Sequence, residues 1–132
     1  MLIVPEALIA GLVTAEDAFA AIEGCFAAMA RGEARNFPVV REALGEGRQY
    51  GFKSGLDRAG ALLGVKAGGY FPGNMARGMI NHQSSVFLFD PETGRPEAMV
   101  GGNLLTALRT AAAAAISIDR LARADANVLG IV

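Results

Sequence analysis

Three basic side chains stand in apolar or glycine-rich sequence rather than in charge runs. Arg41 follows an extended segment, Lys66 lies in GVKAGGYFPGN, and Arg109 lies in LTALRTAA. Burying a cation is costly unless it meets an anion. If the three converge, they would bind a carboxylate, and each charge-assisted hydrogen bond would contribute about 1.5–3 kcal/mol. The alternative is that Lys66 and Arg109 extend their charged ends to solvent or pair with structural acids such as Glu42 or Asp90.

Two further residues are candidates for the same chemistry. His82 precedes an apolar run in NHQSSVFLFD, where hydrogen-bonding side chains could line the rim of a pocket, and Lys53 lies in YGFKSGLD. The alternative is a hydrogen-bonded structural histidine and a solvated strand lysine. Because His82 is the only histidine and the sequence contains neither CxxC nor HExxH, a multi-histidine metal site within one chain is excluded.

The composition is typical of a globular domain. Hydrophobic residues make up 52% of the 132 residues and the net charge is −1, so no basic surface for nucleic acid is expected. No stretch reaches the roughly 18 consecutive apolar residues of a membrane span. Residues 1–13 lack the basic leader of a signal peptide. The single Cys25 cannot form an internal disulfide, which favours a reducing cytoplasm.

The elements that must position these side chains begin with a helix. Thr14 and Asp17 have the spacing of a capping box, and apolar residues then recur every three or four positions. The spacing predicts an amphipathic helix over residues 15–31 with Gly32 as its C-cap. Its predicted apolar stripe consists of Phe19, Ile22, Phe26 and Met29.

Residues 36–101 predict a sheet, and the segment after them predicts a second helix. Short apolar runs separated by glycine- or proline-containing turns indicate four or five mostly antiparallel strands. Asn103 is a favourable N-cap for the helix, which is about 19 residues long and carries a thin, alanine-rich face suited to close packing against a sheet.

The segment ANVLGIV, residues 126–132, predicts a buried strand of a parallel sheet. Such a strand begins a dinucleotide-binding fold and leads into a glycine-rich turn that holds a pyrophosphate. We therefore expect a mixed α/β fold in two parts. Residues 1–103 would form a mostly antiparallel sheet with an N-terminal helix, and residues 104–132 would form a linking helix and the first strand of a truncated Rossmann domain.

Four segments together resemble one protein family. GVKAGGYFPGN, HQSSVFLFDPETGRPEAMVGGN, LTALRTAAAAA and LARADANVLGIV are similar, in this order and spacing, to the ornithine cyclodeaminase and mu-crystallin family. The resemblance implies a substrate-binding and dimerisation domain followed by an NAD(P)-binding Rossmann domain. It also implies a homodimer that acts on small 2-imino or 2-amino acids in the cytoplasm, with neither nucleic acid nor membrane as a partner.

The resemblance implies roles for individual residues. Arg41, Lys66 and Arg109 fall on positions that hold the substrate carboxylate, and Lys66 is also the implied proton donor. Ser85 matches a pocket-side hydroxyl, and Thr110 is a candidate cofactor contact.

Within the family, the chain resembles the branch that reduces iminosuccinate to aspartate with NADH rather than NADPH. Lys53 and His82 would then bind a second carboxylate. The alternatives are an alanine dehydrogenase, an ornithine cyclodeaminase and a non-catalytic binding or dimerisation module.

Two departures from the family pattern bear on these roles. Gly101-Gly102 replaces an Asp-Gly pair, so a carboxylate is expected to be missing from the rim of the pocket. The nucleotide-binding glycines and the acidic catalytic residue of the second domain are absent from the sequence, so we expect the chain as given to be inactive alone.

Overall fold

The computed structural model describes residues 1–130, which form a seven-stranded sheet with three α-helices and one 3₁₀ helix. The elements in chain order are β1 (Leu2–Val4), α1 (Glu6–Ile9), α2 (Ala15–Ala30), β2 (Ala34–Asn36), β3 (Val40–Gly45), β4 (Arg48–Asp57), β5 (Leu62–Tyr70), a 3₁₀ helix (Pro72–Arg77), β6 (His82–Phe89), β7 (Pro96–Gly101) and α3 (Asn103–Leu121). The predicted mixed α/β class with a mostly antiparallel sheet is confirmed.

The sheet is built from successive antiparallel neighbours. Its strand order is β1-β7-β6-β5-β4-β2, and β3 pairs with β4 as well. The exception is β1, which pairs with β7 in parallel. Over residues 34–101 the chain forms six strands rather than four or five. The excess comes from β2, whose three residues are too short to show a periodic pattern.

Helix α2 begins as the sequence predicts and buries different residues from those expected. Thr14 and Asp17 form the complete capping box. The C-cap is Arg31 rather than Gly32, which follows it with a φ of 76°. The buried residues of the helix are alanines, and Phe26 and Met29 of the predicted apolar stripe stay exposed at 45% and 38%. Small side chains are buried here because α2 packs closely against α3.

Helix α3 has the predicted length of 19 residues but a different cap. Gly102 occupies the N-cap position, and Asn103 is the first helical residue. The Asn103 side chain is engaged elsewhere, since its Oδ1 accepts a hydrogen bond from the Ser84 amide at 2.8 Å. The helix also packs mainly on α2 rather than flat on the sheet, with Ala112 and Ile116 buried.

The strand expected over residues 126–132 is not formed in its described part. Residues 126–130 are exposed and have no regular structure, and residues 131 and 132 lie outside the described residues. An apolar run becomes a strand only beside a hydrogen-bonding neighbour, and the sheet of residues 2–101 does not extend to this segment. Within residues 1–130, no helix combines the length and apolar character that crossing a membrane requires.

Glycines let the central strands approach closely, which predicts an effect on stability. A Cβ on Gly68 would lie 2.3 Å from the backbone oxygen of Gln83 on the next strand. Gly68→Ala should therefore destabilise the chain by about 1–3 kcal/mol. The matched control is Gly73→Ala, where a Cβ would meet nothing within 4 Å. Urea denaturation of both variants tests this, and equal midpoints for the two would contradict the packing of β5 against β6.

Candidate functional site

A cleft lies between one face of the sheet and the N-terminal half of α3. It consists of two adjoining cavities of about 210 and 450 Å³. Both cavities are lined by Val39, Lys53, Lys66, Thr106 and Arg109. The cleft therefore brings together basic side chains from the sheet and from the helix.

The strand register places the two lysines side by side. Lys53 on β4 is the direct cross-strand partner of Lys66 on β5, and direct partners project from the same face of a sheet. These are the only two lysines in the sequence. Like charges at directly opposite positions destabilise a sheet, so their pairing in one cleft calls for a compensating anion.

Arg41 and His82 reach the smaller cavity over a floor of glycine. Arg41 pairs with Gly51, and Gly51 pairs with Gly68 on the next strand. All four residues line that cavity. A side chain at Gly51 could not be accommodated, since its Cβ would lie 2.1 Å from the Val40 backbone oxygen. The glycines keep open the space towards which the basic groups of neighbouring strands are directed.

Helix α3 supplies the opposite wall and a direct contact to the sheet. The Lys66 ammonium donates a hydrogen bond to Thr106 Oγ1 at 2.9 Å. The Thr106 hydroxyl in turn donates to the Gly102 carbonyl at 2.7 Å. Arg109 follows three residues after Thr106 and lies on the same side of the helix, where it lines both cavities.

Pairing of Lys66 and Arg109 with structural acids, one part of the predicted alternative, is wrong within residues 1–130, while the exposure of Arg109 agrees with the part in which the charged end reaches solvent. None of the ion pairs found there involves Arg41, Lys53, Lys66 or Arg109. The Asp90 carboxylate instead accepts hydrogen bonds within its own turn, from Glu92 and Thr93. The cleft therefore concentrates positive charge without a protein counter-ion.

This positive charge contributes to the pKa shifts of two titratable side chains in the cleft, Lys66 and His82. Burial lowers the pKa of Lys66, and the positive charges of Arg109 and Lys53 lower it further. Burial also lowers the pKa of His82, with the charges of Lys66, Arg109 and Lys53 acting in the same direction against a hydrogen bond with Asn103. A bound anion would reverse the electrostatic part of these shifts, because it stabilises the protonated forms.

The remaining two predicted residues lie apart from the cations. Ser85 pairs with Ala67, one position out of step with Lys66 and Val86, so it projects from the opposite face of the sheet. Thr110 is exposed on α3, and its hydroxyl donates to the Thr106 carbonyl at 2.7 Å. The structure brings Arg41, Lys53, Lys66, His82 and Arg109 together but does not bring Ser85 to them.

Two residues of the site were not identified from the sequence. Thr106 is one of them, and its hydroxyl contacts the Lys66 ammonium directly. Glu6 was not considered, yet its carboxylate accepts hydrogen bonds from the Asn103 and Leu104 amides at 3.0 and 2.7 Å. A carboxylate therefore lies beside Gly101, where the sequence predicts none. The first backbone amides of α3 need hydrogen-bond acceptors, and this requirement is the only sequence signal for such a group.

The sequence profile of the ornithine cyclodeaminase/mu-crystallin family matches residues 3–132. A curated relative, the iminosuccinate reductase of Paracoccus denitrificans (strain Pd 1222), is 63% identical over the whole chain and 42% of its own length. The chain thus spans about two fifths of the length of the curated relative.

Solved structures agree with this match. The crystal structure of the P. denitrificans iminosuccinate reductase in complex with NAD⁺ superimposes with a TM-score of 0.89, covering 96% of this chain and 39% of that one. An archaeal alanine dehydrogenase dimer with bound NAD is 29% identical and superimposes with a TM-score of 0.87, covering 95% of this chain and 38% of that one. The predicted family resemblance is confirmed.

The crowding of positive charge predicts how Lys66 titrates. Its pKa should lie below that of an ordinary lysine and should rise when Lys53→Met or Arg109→Gln removes a neighbouring charge. With ¹³C-labelled lysine, NMR titration of the wild-type chain follows two Cε resonances, and Lys53→Met leaves Lys66 alone. The control is Arg123→Gln, which removes an exposed arginine paired with Asp125. If both cleft variants titrate like this control, the cations do not interact as described.

Proposed function

The chain belongs to the ornithine cyclodeaminase/mu-crystallin family, and we propose that it is the substrate-binding part of an NAD(P)-dependent imine reductase. The proposed reaction converts iminosuccinate, NADH and a proton into aspartate and NAD⁺. In this proposal residues 1–103 form the substrate-binding and dimerisation domain. Residues 104–132 form the linking helix and the first strand of the nucleotide-binding domain. We place the enzyme in the cytoplasm, where its single thiol at Cys25 stays reduced.

One observation carries the proposal. Basic groups from four strands and one helix converge on a cleft, and none has a protein counter-ion within the described residues. A carboxylate is the ligand that such a set of guanidinium and ammonium groups binds best. We assign the carboxylate next to the imine to Arg41, Lys66 and Arg109.

The number of basic side chains supports a dicarboxylate substrate. A single carboxylate is satisfied by two or three charge-assisted donors, which leaves Lys53 and His82 for a second one. Both lie in the smaller cavity with Arg41. The 63% identity to a protein named iminosuccinate reductase supports the same substrate class. In this assignment Lys53 and His82 distinguish a dicarboxylate from the monocarboxylate of an alanine dehydrogenase.

The described residues offer little of a nucleotide site, which agrees with placing most of it in another domain. The candidate contact is Thr110, exposed on α3 one turn beyond Thr106, with hydroxyl lone pairs left to accept a hydrogen bond. NADH, when bound, supplies the hydride that reduces the imine carbon. We propose NADH rather than NADPH because the similar iminosuccinate reductase was crystallised with NAD⁺.

The residues of the chain then perform binding, orientation and proton transfer. The three carboxylate-binding cations fix the position of the imine carbon, and such orientation accounts for much of the rate in reactions of two bound reactants. Lys66 holds a proton on Nζ and donates it towards the imine nitrogen as the carbon is reduced. Its lowered pKa suits this step, because a lysine that releases its proton more readily is a better acid.

The surface of the chain supports a homodimer. Large apolar side chains such as Val40, Leu44 and Phe52 are between 41% and 49% exposed. Exposed apolar area of this extent marks an interaction surface, and the similar archaeal alanine dehydrogenase is a dimer.

The role of Lys66 is tested by Lys66→Met in the native protein. Turnover should fall about 10²–10⁴-fold, the range that a positioned general acid contributes, while the affinity for NADH should stay near normal. Stopped-flow measurement of NADH oxidation and fluorescence titration of NADH separate the two quantities. Unchanged turnover would remove Lys66 from the mechanism.

The substrate class is tested by comparing imines of different acids. The native protein should oxidise NADH faster with oxaloacetate and ammonia than with pyruvate and ammonia. Lys53→Met should lower kcat/KM for the oxaloacetate-derived imine by about tenfold or more and barely affect the pyruvate-derived one. Arg48→Met is the control, because Arg48 lies on the same strand but pairs with Glu46.

Other outcomes of these assays assign the alternatives. Faster reaction with pyruvate identifies an alanine dehydrogenase, the function favoured by the likeness to the archaeal dimer. Conversion of ornithine to proline and ammonia identifies a cyclodeaminase. A thermal shift with a dicarboxylate but no oxidation of NADH identifies a binding module.

A further inference from the structure

We propose that Glu6 is a positioning residue that holds the first turn of α3 and, through Thr106, sets the hydrogen bonding of the Lys66 ammonium. The proposal rests on the proposed function only for its substrate-binding readout. Glu6 lies 97 residues before Asn103 in the chain, yet its two carboxylate oxygens each accept one backbone amide of that turn.

The need for Glu6 follows from how the helix starts. The first amides of a helix have no partner within it, and the usual solution is the side chain of the N-cap residue. Here the N-cap is Gly102, which has no side chain, and Asn103 uses its own Oδ1 to accept from Ser84. The carboxylate of Glu6, the first residue of α1, is therefore the group that completes the turn, and its charge interacts favourably with the helix dipole.

Gly101 makes room for this arrangement. A Cβ at position 101 would lie 2.5 Å from Glu6 Cα and 2.6 Å from Glu6 Oε2. The Glu6 backbone and carboxylate therefore use the space that a side chain at position 101 would need. A carboxylate from the other end of the chain therefore lies beside position 101, although Glu6 does not line either cavity of the cleft.

The link from Glu6 to the cleft is short and consists of hydrogen bonds. Glu6 holds the amides of Asn103 and Leu104, and Thr106 follows two residues later in the same turn. The Thr106 hydroxyl donates to the Gly102 carbonyl and accepts from Lys66. If the first turn of α3 loosens, the acceptor for the Lys66 ammonium moves away, and the protonated form of Lys66 loses a partner.

The test compares Glu6→Gln with Glu16→Gln, an exposed glutamate in the first turn of α2. In ¹³C-lysine NMR, Glu6→Gln should move the Lys66 titration midpoint to lower pH, because the charged form is less well bonded. Glu16→Gln should leave the midpoint unchanged. Since this readout needs no ligand, it stands even if the chain binds no dicarboxylate.

A double-mutant cycle tests the route of the effect. Thr106→Val should itself move the Lys66 midpoint to lower pH, and Glu6→Gln should add nothing in the Thr106→Val background. In the native protein, Glu6→Gln should raise KM for the oxaloacetate-derived imine about tenfold, equivalent to 1.4 kcal/mol. Should Glu6→Gln not fold, Glu6→Asp, which keeps the charge on a shorter side chain, should move the midpoint in the same direction by less.

Two results would overturn the proposal. A variant of Glu6 that melts earlier while Lys66 titrates as in the wild type would make Glu6 a structural cap only. Additive effects of Glu6→Gln and Thr106→Val on the Lys66 midpoint would show that Glu6 does not act through Thr106. Failure of the native protein to reduce any imine would remove the proposed function but not the NMR result.

Discussion

Repulsion between like charges in a partly buried cleft is the constraint on which the rest of this structure depends. Lys53 and Lys66 are direct neighbours across two strands, and Arg109 faces them from α3. Burial lowers the pKa of Lys66, and this repulsion lowers it further. Stability alone would favour an acidic side chain among these groups, because an unpaired buried charge is costly. Their presence without one within the described residues is understandable if the anion is a ligand.

Keeping several cations around an open space requires a rigid scaffold. The cleft is lined by Gly51 and Gly68 between the strands that carry Arg41 and His82. A Cβ on Gly51 would meet the backbone of β3, and a Cβ on Gly68 would meet the backbone of β6. Glycine weakens a strand by itself. In this sheet the long β4, β5 and β6 ladders compensate, because they pair over eight or nine residues.

The other wall of the cleft is fixed at the start of α3 rather than along its length. Asn103 ties the helix to β6, Thr106 contacts the Lys66 ammonium, and Glu6 holds the first amides. Beyond this turn the helix packs through small side chains against α2. The alanine-rich sequence thus provides a helix that can approach closely, and long-range hydrogen bonds decide where it begins.

Several features of this structure can be predicted from the sequence alone, because the interactions that produce them are local. Capping of α2 by Thr14 and Asp17 depends on residues three positions apart, and the length of α3 depends on helix propensity. The sequence predicts a carboxylate-binding role for Arg41, Lys66 and Arg109, because they are cations set in apolar sequence and because they match positions of the family that bind the substrate carboxylate. The structure brings them into a shared cleft, with Lys66 partly buried and Arg41 and Arg109 exposed.

Only the tertiary structure decided the features that depend on distant partners. Lys53 lies opposite Lys66 on one face of the sheet, and Ser85 projects from the other face. Both outcomes depend on strand register, because a shift of one residue exchanges the two faces of a strand. The capping of α3 by Glu6, and not by Asn103, depends on two segments 97 residues apart. A sequence lists the groups that can donate, accept or carry charge. Which of them meet is determined by the packing of the whole chain.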